Sequence, residues 1–226
     1  PELIGVGKYT GEMAAWLARH GVEVRVVCAQ PYYPEWRVHT GFSRWFYRRE
    51  ARNGARVWRC PLWVPPRPSA VTRLLHLLSF ALTSAPVLLW QAIFWRPDIV
   101  MLVAPTLAGT PTAWLAARLG GAHTWLHVQD FELDAATGLG LLAHPKLARV
   151  LGAVERCFMR RFDQTSSITP AMMARLQEKT AGAPPIHFPN WVDTTAVHPL
   201  PRPVPMRAEL GLAKDAIVAL YSGNMG

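Results

Sequence analysis

A histidine and three carboxylates follow one another in the stretch HVQDFELD, which begins at His127. The apolar residues before it predict a buried strand over 122–128. At the end of such a strand an imidazole can donate a hydrogen bond to a ligand hydroxyl, and a carboxylate can accept one or act as a base. We therefore expect His127 and Asp130 to be catalytic, whereas Glu132 and Asp134 fit a solvated loop equally well.

Other kinds of catalytic or structural chemistry have weaker support. The pattern H-x2-D-x-E-x-D could ligate a metal, but its spacing is not specific and we predict no metal site. Cys28, Cys60 and Cys157 lie far apart with no C-x-x-C pair, which argues against a zinc site or a disulfide scaffold and favours a reducing compartment. The chain also has no G-x-S-x-G nucleophile motif. The strand ends remain the best candidates.

The chain opens with three glycines, Gly5, Gly7 and Gly11, and Lys8 stands among them. They precede a helical pattern over 9–20. A glycine turn before a helix N-terminus lets a phosphate approach free backbone N–H groups. A tight turn with close helix packing explains the same residues equally well. A strand would normally precede such a turn in a parallel sheet, so we expect the sequence to begin inside a domain.

A dinucleotide fingerprint is a further interpretation of these glycines. It would require an acidic residue about 20 positions on, at the end of the second strand, to bind the ribose. That strand is predicted over 22–29 and runs into Gln30, with no acidic residue there. A nicotinamide cofactor is therefore disfavoured.

Positive charge is concentrated in one part of the chain. Between Trp36 and Arg96 there are ten arginines, one acidic residue and six of the ten tryptophans. Arginine mixed with tryptophan is typical of surfaces at lipid headgroups. A basic aromatic stripe also fits nucleic acid, and some of these arginines are ordinary solvated surface. We favour a membrane surface and no nucleic acid. The expected membrane contacts are Arg44, Trp45, Arg48, Arg49 and Arg52.

The segment 74–95 carries no formal charge over 22 residues, which is long enough to span a bilayer. A buried-type strand follows directly at 98–103. If this strand shares a parallel sheet with 22–29, both lie on one side of any membrane and a single crossing between them is impossible. We therefore expect one or two helices that pack on the sheet with shallow membrane contact.

Alternating strands and helices predict an α/β fold with a doubly wound parallel sheet. Hydroxyl residues at 166–170 mark a third strand end that could face a ligand. We expect a first domain at 1–190, a proline-rich linker at 191–205 and the start of a second domain at 206–226. Further strands are predicted at 55–64, 122–128, 164–168, 186–188 and 216–221, and helices at 109–119, 145–162, 170–180 and 205–212.

Four stretches carry a family resemblance in combination: PELIGVGKYTGEMAAWLARHGVEVRVVCAQPYYPEW, LHVQDFELDAA, FPNWVDTTAVHPL and LYSGNMG. In this order they resemble family 4 glycosyltransferases of the GT-B fold, in the bacterial exopolysaccharide branch that includes colanic-acid-type enzymes. The likeness runs over essentially the whole chain. Each stretch alone is not specific, but the combination is.

The resemblance implies two facing Rossmann-like domains with the active site in the cleft between them. It also implies retention of anomeric configuration and no required metal or cofactor, because the nucleotide-sugar is a substrate. His127 and Asp130 would lie on the sugar and acceptor side. Gly5, Gly7 and Lys8 would lie near the donor phosphates, and Asn190 and Asp193 in the hinge.

We thus expect a retaining glycosyltransferase that moves a sugar from a nucleotide-sugar donor to a lipid-linked glycan acceptor. It would act in the cytoplasm, at the inner face of the cell membrane. The resemblance implies that most of a second domain is missing from these 226 residues, so we expect a sequence truncated at both ends that is inactive alone. Two alternatives are a nucleotide-linked oxidoreductase and a non-catalytic module that binds membrane or nucleic acid.

Overall fold

The computed structural model describes residues 5–67, 69–104, 107–138, 145–199, 205–213 and 215–221. The chain divides into two compact units, Pro1–Asn190 and Trp191–Gly226. All seven strands belong to the first unit, in the part of the chain that the structure describes. The candidate site is therefore described within that unit.

Three strands form sheet A: β1 (Arg25–Ala29), β2 (Arg48–Arg52) and β3 (Ala55–Cys60), in the order β1-β3-β2. β1 and β3 are parallel, whereas β2 pairs antiparallel with β3. Asn53 and Gly54 join β2 to β3 with φ angles of 49° and 85°. Positive φ at both central residues suits a two-residue hairpin turn. β2 is absent from the sequence-based prediction, although the Asn-Gly pair signals it.

Four parallel strands form sheet B in sequential order: β4 (Ile99–Ala104), β5 (His123–Val128), β6 (Gln164–Ser167) and β7 (Ile186–His187). The α/β class and a parallel sheet are confirmed, but β1 and β4 lie in different sheets, so the shared sheet considered for 22–29 and 98–103 is not found among the described residues. The core of sheet B is a buried cluster of apolar side chains from β4, β5, the segment after β5, the helices α5 (Pro145–Met159) and α6 (Pro170–Thr180), and the segment after α5. Its members are Ala104, Leu126, Val128, Phe131, Met159, Phe162 and Leu176.

Seven α-helices and one short 3-10 helix are found in the described ranges. The helices are α1 (Gly5–Arg19), α2 (Ala70–Phe94), α3 (Thr110–Gly120), α4 (Glu132–Gly138), α5 (Pro145–Met159), α6 (Pro170–Thr180) and α7 (Pro205–Glu209), with the 3-10 turn at Leu107–Gly109.

Local sequence explains where two of these helices begin. The Ser69 hydroxyl accepts from the backbone N–H of Thr72, and the Thr72 hydroxyl accepts from the Ser69 N–H at 2.7 Å, so α2 starts with a capping box. At the start of α6 the Thr169 hydroxyl accepts from the Met172 N–H, and Pro170 lies in the first turn. The uncharged segment is thus a single helix.

Three sequence-based predictions are wrong in the structure. α1 begins at Gly5, so Gly7 and Gly11 lie within a helix instead of a glycine loop. The expected loop after β5 is the short helix α4. The segment 216–221 forms no strand among the described residues, because no described strand pairs with it and backbone N–H and C=O groups of a strand need such a partner.

Candidate active site at the carboxyl edge of sheet B

The carboxyl ends of the sheet B strands lie along one edge, because all four strands are parallel. Hydrogen bonds tie the segments together just beyond the strands. The Ser167 hydroxyl donates to the Val128 carbonyl at 2.7 Å, and the Phe188 N–H donates to the Ser167 carbonyl at 2.9 Å. Ligands of open α/β sheets bind beyond such an edge. The structure therefore brings two of the three predicted strand ends, those of β5 and β6, side by side.

His127 stands at this edge with only 3% of its surface exposed. It pairs in register with Ser166 of β6, so the two side chains share one face of the sheet. The Phe188 ring packs edge-on against the imidazole, with ring centroids 5.2 Å apart. His127 is therefore held rigidly by neighbours from three consecutive strand segments.

A chain of two hydrogen bonds fixes which nitrogen of His127 carries the proton. The Trp125 indole N–H, which can only donate, reaches the Ser166 hydroxyl oxygen at 2.8 Å. That oxygen lies 2.9 Å from Nδ1 of His127, and among the described residues it has no other acceptor for its own proton. Ser166 therefore donates to Nδ1, and the imidazole proton sits on Nε2.

Burial also sets the charge of this imidazole. Loss of hydration lowers the pKa of His127 to about 4, so the ring is neutral near pH 7. A neutral ring with its proton on Nε2 is a hydrogen-bond donor with a fixed direction. The arrangement suits recognition of a hydroxyl better than proton abstraction.

Asp130 lies two residues beyond β5 and is exposed. The next residue, Phe131, is buried in the core of sheet B and fixes the chain at this point. Asp130 is thereby presented to solvent at the same edge as His127. A carboxylate in this position can accept hydrogen bonds from a hydroxylated ligand.

Asp134 does not belong to a solvated loop. Its carboxylate, on α4, accepts from Arg175 at 2.9 Å and from Lys179 at 2.7 Å, both on α6. Burial alone would raise its pKa, but these two cations hold the pKa of Asp134 below its ordinary value. Lys179 is itself buried and also binds the buried carboxylate of Glu155 on α5. This ionic cluster fastens α4, which follows Asp130, to the helices behind it.

The remaining predicted residues lie elsewhere. Gly5, Gly7 and Lys8 are in α1, a helix that packs against sheet A where Gly54 approaches Ala18. Asn190 follows β7 and ends the first unit. Asp193 belongs to the second unit, where its carboxylate accepts from the Thr195 N–H and hydroxyl. These contacts lower the pKa of Asp193.

The five predicted membrane contacts are all exposed. Arg48, Arg49 and Arg52 are on β2, and the Arg44 guanidinium lies 4.6 Å from the centre of the Trp45 ring. They lie on β2 or in the segment between β1 and β2, both in the region of sheet A, whereas His127 lies on β5 of sheet B.

Trp125 and Phe188 are contacts of the candidate site that the sequence analysis missed. Trp125 could have been found from the strand alone, because residues two apart in β5 face the same side. Phe188 could not, since its contact with His127 depends on the pairing order of three strands.

A family model for the glycosyl transferase 4-like domain matches residues 5–191. The chain belongs to this glycosyltransferase family. It is also 46% identical over 232 residues to an Escherichia coli K12 protein that is provisionally named colanic acid biosynthesis glycosyl transferase WcaI. The alignment covers 100% of this chain and 56% of the relative, so the chain spans little more than half of that protein's length.

These comparisons confirm the resemblance stated from the sequence, including its exopolysaccharide branch. Neither alternative, a nucleotide-linked oxidoreductase or a non-catalytic binding module, gains support from them. The family match also ends where the first compact unit ends, within one residue of Asn190.

Proposed function

We propose that this chain is the acceptor-side part of a retaining enzyme that transfers a sugar from a nucleotide-sugar to a lipid-linked glycan during exopolysaccharide synthesis. The family membership and the colanic acid relative support the sugar-transfer class. The enzyme would work in the cytoplasm at the inner face of the cell membrane, where nucleotide-sugars and a lipid-linked acceptor meet.

The observation that carries the proposal is the geometry around His127. A neutral imidazole with its proton on Nε2, held by Ser166 and Phe188, offers one directed donor at the ligand-binding edge. Sugars are recognised largely through their hydroxyl groups, and such a donor matches one hydroxyl. Asp130, exposed nearby in the sequence, offers the complementary acceptor.

In this proposal the protein positions the donor and the acceptor and stabilises the departing diphosphate, so few proton transfers fall to its side chains. A phosphate-binding role for Gly5, Gly7 and Lys8 would use the N-terminus of α1, whose first N–H groups carry partial positive charge. No metal or cofactor has a role in the proposed reaction, and Asn190 and Asp193 would lie in the hinge.

The test uses the full-length protein that contains this sequence. The purified enzyme is incubated with a panel of labelled nucleotide-sugars and with polyprenyl-linked glycans extracted from exopolysaccharide-producing cells. We expect label in the lipid fraction with one donor, and the new glycosidic bond should keep the donor's anomeric configuration by NMR. An inverted product would reject the retaining mechanism, and absence of transfer with every donor would reject the proposed function.

A further inference from the structure

The outer face of α2 is apolar, which is the reverse of a helix on the surface of a soluble domain. One row of apolar side chains runs along its outer face at the spacing i, i+4, i+7, i+11 and i+22, and these five side chains are exposed, whereas Leu89 between the last two is partly exposed. A helix that faces water normally presents polar residues there. The row consists of Val71 (68% exposed), Leu75 (49%), Leu78 (41%), Leu82 (74%) and Ile93 (50%).

The opposite side of α2 is polar and buried. His76, Ser84 and Gln91 are each at most 5% exposed. His76 contacts the Trp63 carbonyl through Nδ1 at 2.7 Å, and the Gln91 side-chain oxygen accepts from Arg25 at 2.7 Å. These polar groups therefore point into the protein, together with the small side chains of Ala81 and Ala92, and the large apolar side chains of the row point away from it.

The same polar contacts hold α2 flat along the domain. By length and composition alone α2 could cross a membrane. However, the Thr83 hydroxyl donates to the Pro61 carbonyl at 2.6 Å, and Gln91 is bound to Arg25 of β1. Farther along, the Ala92 carbonyl approaches the backbone of Gly120 on α3 so closely that a Cβ there would lie 3.1 Å from it. Both halves of the helix are fastened to the protein, so only its outer side can meet lipid.

A group of exposed aromatic and basic residues lies beside the middle of α2. The Tyr47 hydroxyl donates to the Thr83 carbonyl at 2.9 Å, which places this segment against the helix. Trp45 and Phe46 are among the most exposed large side chains of the chain, and Arg44 stacks on the Trp45 ring. Aromatic rings and guanidinium groups are suited to the headgroup level of a bilayer, where the latter bind lipid phosphates.

We infer that the row Val71, Leu75, Leu78, Leu82 and Ile93, together with the segment 44–49, forms a lipid face that seats in one leaflet of an anionic phospholipid bilayer with α2 parallel to the membrane plane. The inference deepens the proposed function and rests on it for its biological role, since it states how the enzyme reaches a lipid-linked acceptor. Hydrophobic burial supplies affinity, and arginine selects anionic headgroups.

Vesicle binding tests the lipid face. The full-length protein is floated with vesicles of phosphatidylglycerol and phosphatidylethanolamine, and the variant L78Q/L82Q is compared with V150Q/V154Q, which places the same polar groups at exposed positions of α5. We expect L78Q/L82Q to lower the partition coefficient at least about tenfold, since each buried methylene contributes about 0.8 kcal/mol. The α5 variant should stay within about twofold of wild type. Equal binding of wild type and L78Q/L82Q would overturn the lipid face.

The arginines are tested separately. Replacing Arg44, Arg48 and Arg49 by Gln should weaken binding to these vesicles more than about tenfold, at roughly 1 kcal/mol for each charge near the surface. Binding to pure phosphatidylcholine should change little. Unchanged flotation on anionic vesicles would remove the arginines from the lipid face.

Spin labels distinguish an in-plane helix from a crossing one without relying on weakened variants. Single cysteines at positions 75, 82 and 93 are labelled in a Cys157→Ser background, because Cys157 is an exposed thiol, and the signal of the labelled background protein is subtracted. We expect three similar, shallow depths by power saturation. A label at 82 far deeper than those at 75 and 93 would indicate a crossing helix and overturn the inference.

The sugar-transfer assay keeps this inference distinct from the proposed function. Wild-type enzyme that binds vesicles but transfers no sugar would reject the proposed function and leave the lipid face standing. Wild-type enzyme that transfers sugar but does not bind vesicles would reject the lipid face alone.

Discussion

Sheets A and B differ in the residues that they bury and in the residues that they expose. In sheet B the central strand β5 is largely buried, and the polar groups inside are mainly hydroxyls and one neutral histidine. In sheet A four of the five residues of β2 are exposed, and the buried cation Arg59 is neutralised by Glu50 at 2.7 Å. The directed hydrogen-bond donor His127 therefore lies on the fully parallel sheet B. The charged side chains that are free to contact other molecules lie on the mixed sheet A.

The boundary between these roles is α2. It contacts β1 and β3 of sheet A, where Gln91 binds Arg25, and it contacts α3 on the side of sheet B. Because buried polar and small residues of α2 make the internal contacts, large apolar residues such as Leu78 and Leu82 face outward. The same helix can therefore join the two sheets and provide the lipid face.

The largest effect is expected behind sheet B, at Lys179. In Lys179→Met the buried Glu155 carboxylate loses its cation, and its Oε1 atom already has no partner among the described residues. Removing one partner of a buried ion pair costs about 3–5 kcal/mol, so the free energy of unfolding in urea should fall by that amount. Arg175→Met removes an exposed partner of Asp134 and should cost less than about 1 kcal/mol. Equal losses would show that burial of the Lys179 cluster does not matter.

The second prediction concerns turnover and compares His127 of sheet B with a histidine outside that sheet. His127→Ala in the full-length enzyme should lower turnover on the order of a hundredfold, as loss of one fixed donor does in other enzymes. His39→Ala removes a partly exposed imidazole whose side chain binds only Glu35 among the described residues, and should leave turnover unchanged. Asp130→Asn should also lower turnover strongly, and Glu132→Gln should have less effect. Wild-type rates for His127→Ala would show that the site lies elsewhere.

The third prediction concerns pH and stability. The pKa of His127 is about 4 in the folded protein, below the ordinary value near 6.5, so the unfolded chain binds the proton more readily. Stability should therefore fall as the pH drops from about 6.5 to 4, by up to roughly 3 kcal/mol from this group. In His127→Gln this part of the loss should vanish, as measured by urea unfolding across that range. Parallel pH profiles for both proteins would contradict the assigned pKa.

The smallest effect is expected at Ser166, which positions His127. Ser166→Ala removes the donor to Nδ1 and lets the ring choose either tautomer, so turnover should fall about three- to tenfold. Ser166→Thr, which keeps a hydroxyl, should recover part of the rate. A turnover rate for Ser166→Ala equal to that of the wild type would contradict this positioning role.

The sequence predicted sheet B more accurately than sheet A for physical reasons. β4 and β5 are largely apolar runs, and each is followed by a helix, so the positions of β4, β5 and α6 were predicted to within a residue or two. β2 is arginine-rich and has no hydrophobic pattern, so only its Asn-Gly turn marks it. Residues 216–221 have a strand-like pattern, but pattern alone cannot provide a pairing partner.

The candidate site was predictable in part. The sequence singles out His127 and Asp130 because polar residues at the end of a buried strand are exceptional there, and their catalytic role stays a prediction. The roles of Asp134 and Lys179 depend on contacts between residues 45 positions apart, which no local pattern encodes. The tautomer of His127 likewise depends on Ser166, 39 residues away.

The central claim is that the His127 Nε2–H at the edge of sheet B meets the transferred sugar. Histidine-labelled full-length enzyme, studied by ¹⁵N NMR with a His127→Gln spectrum for assignment, tests this most directly. The account predicts a neutral ring at pH 6 with its proton on Nε2, and a clear shift of that resonance when the donor nucleotide-sugar saturates the enzyme. A proton on Nδ1, or a resonance that does not move at saturation, would contradict it.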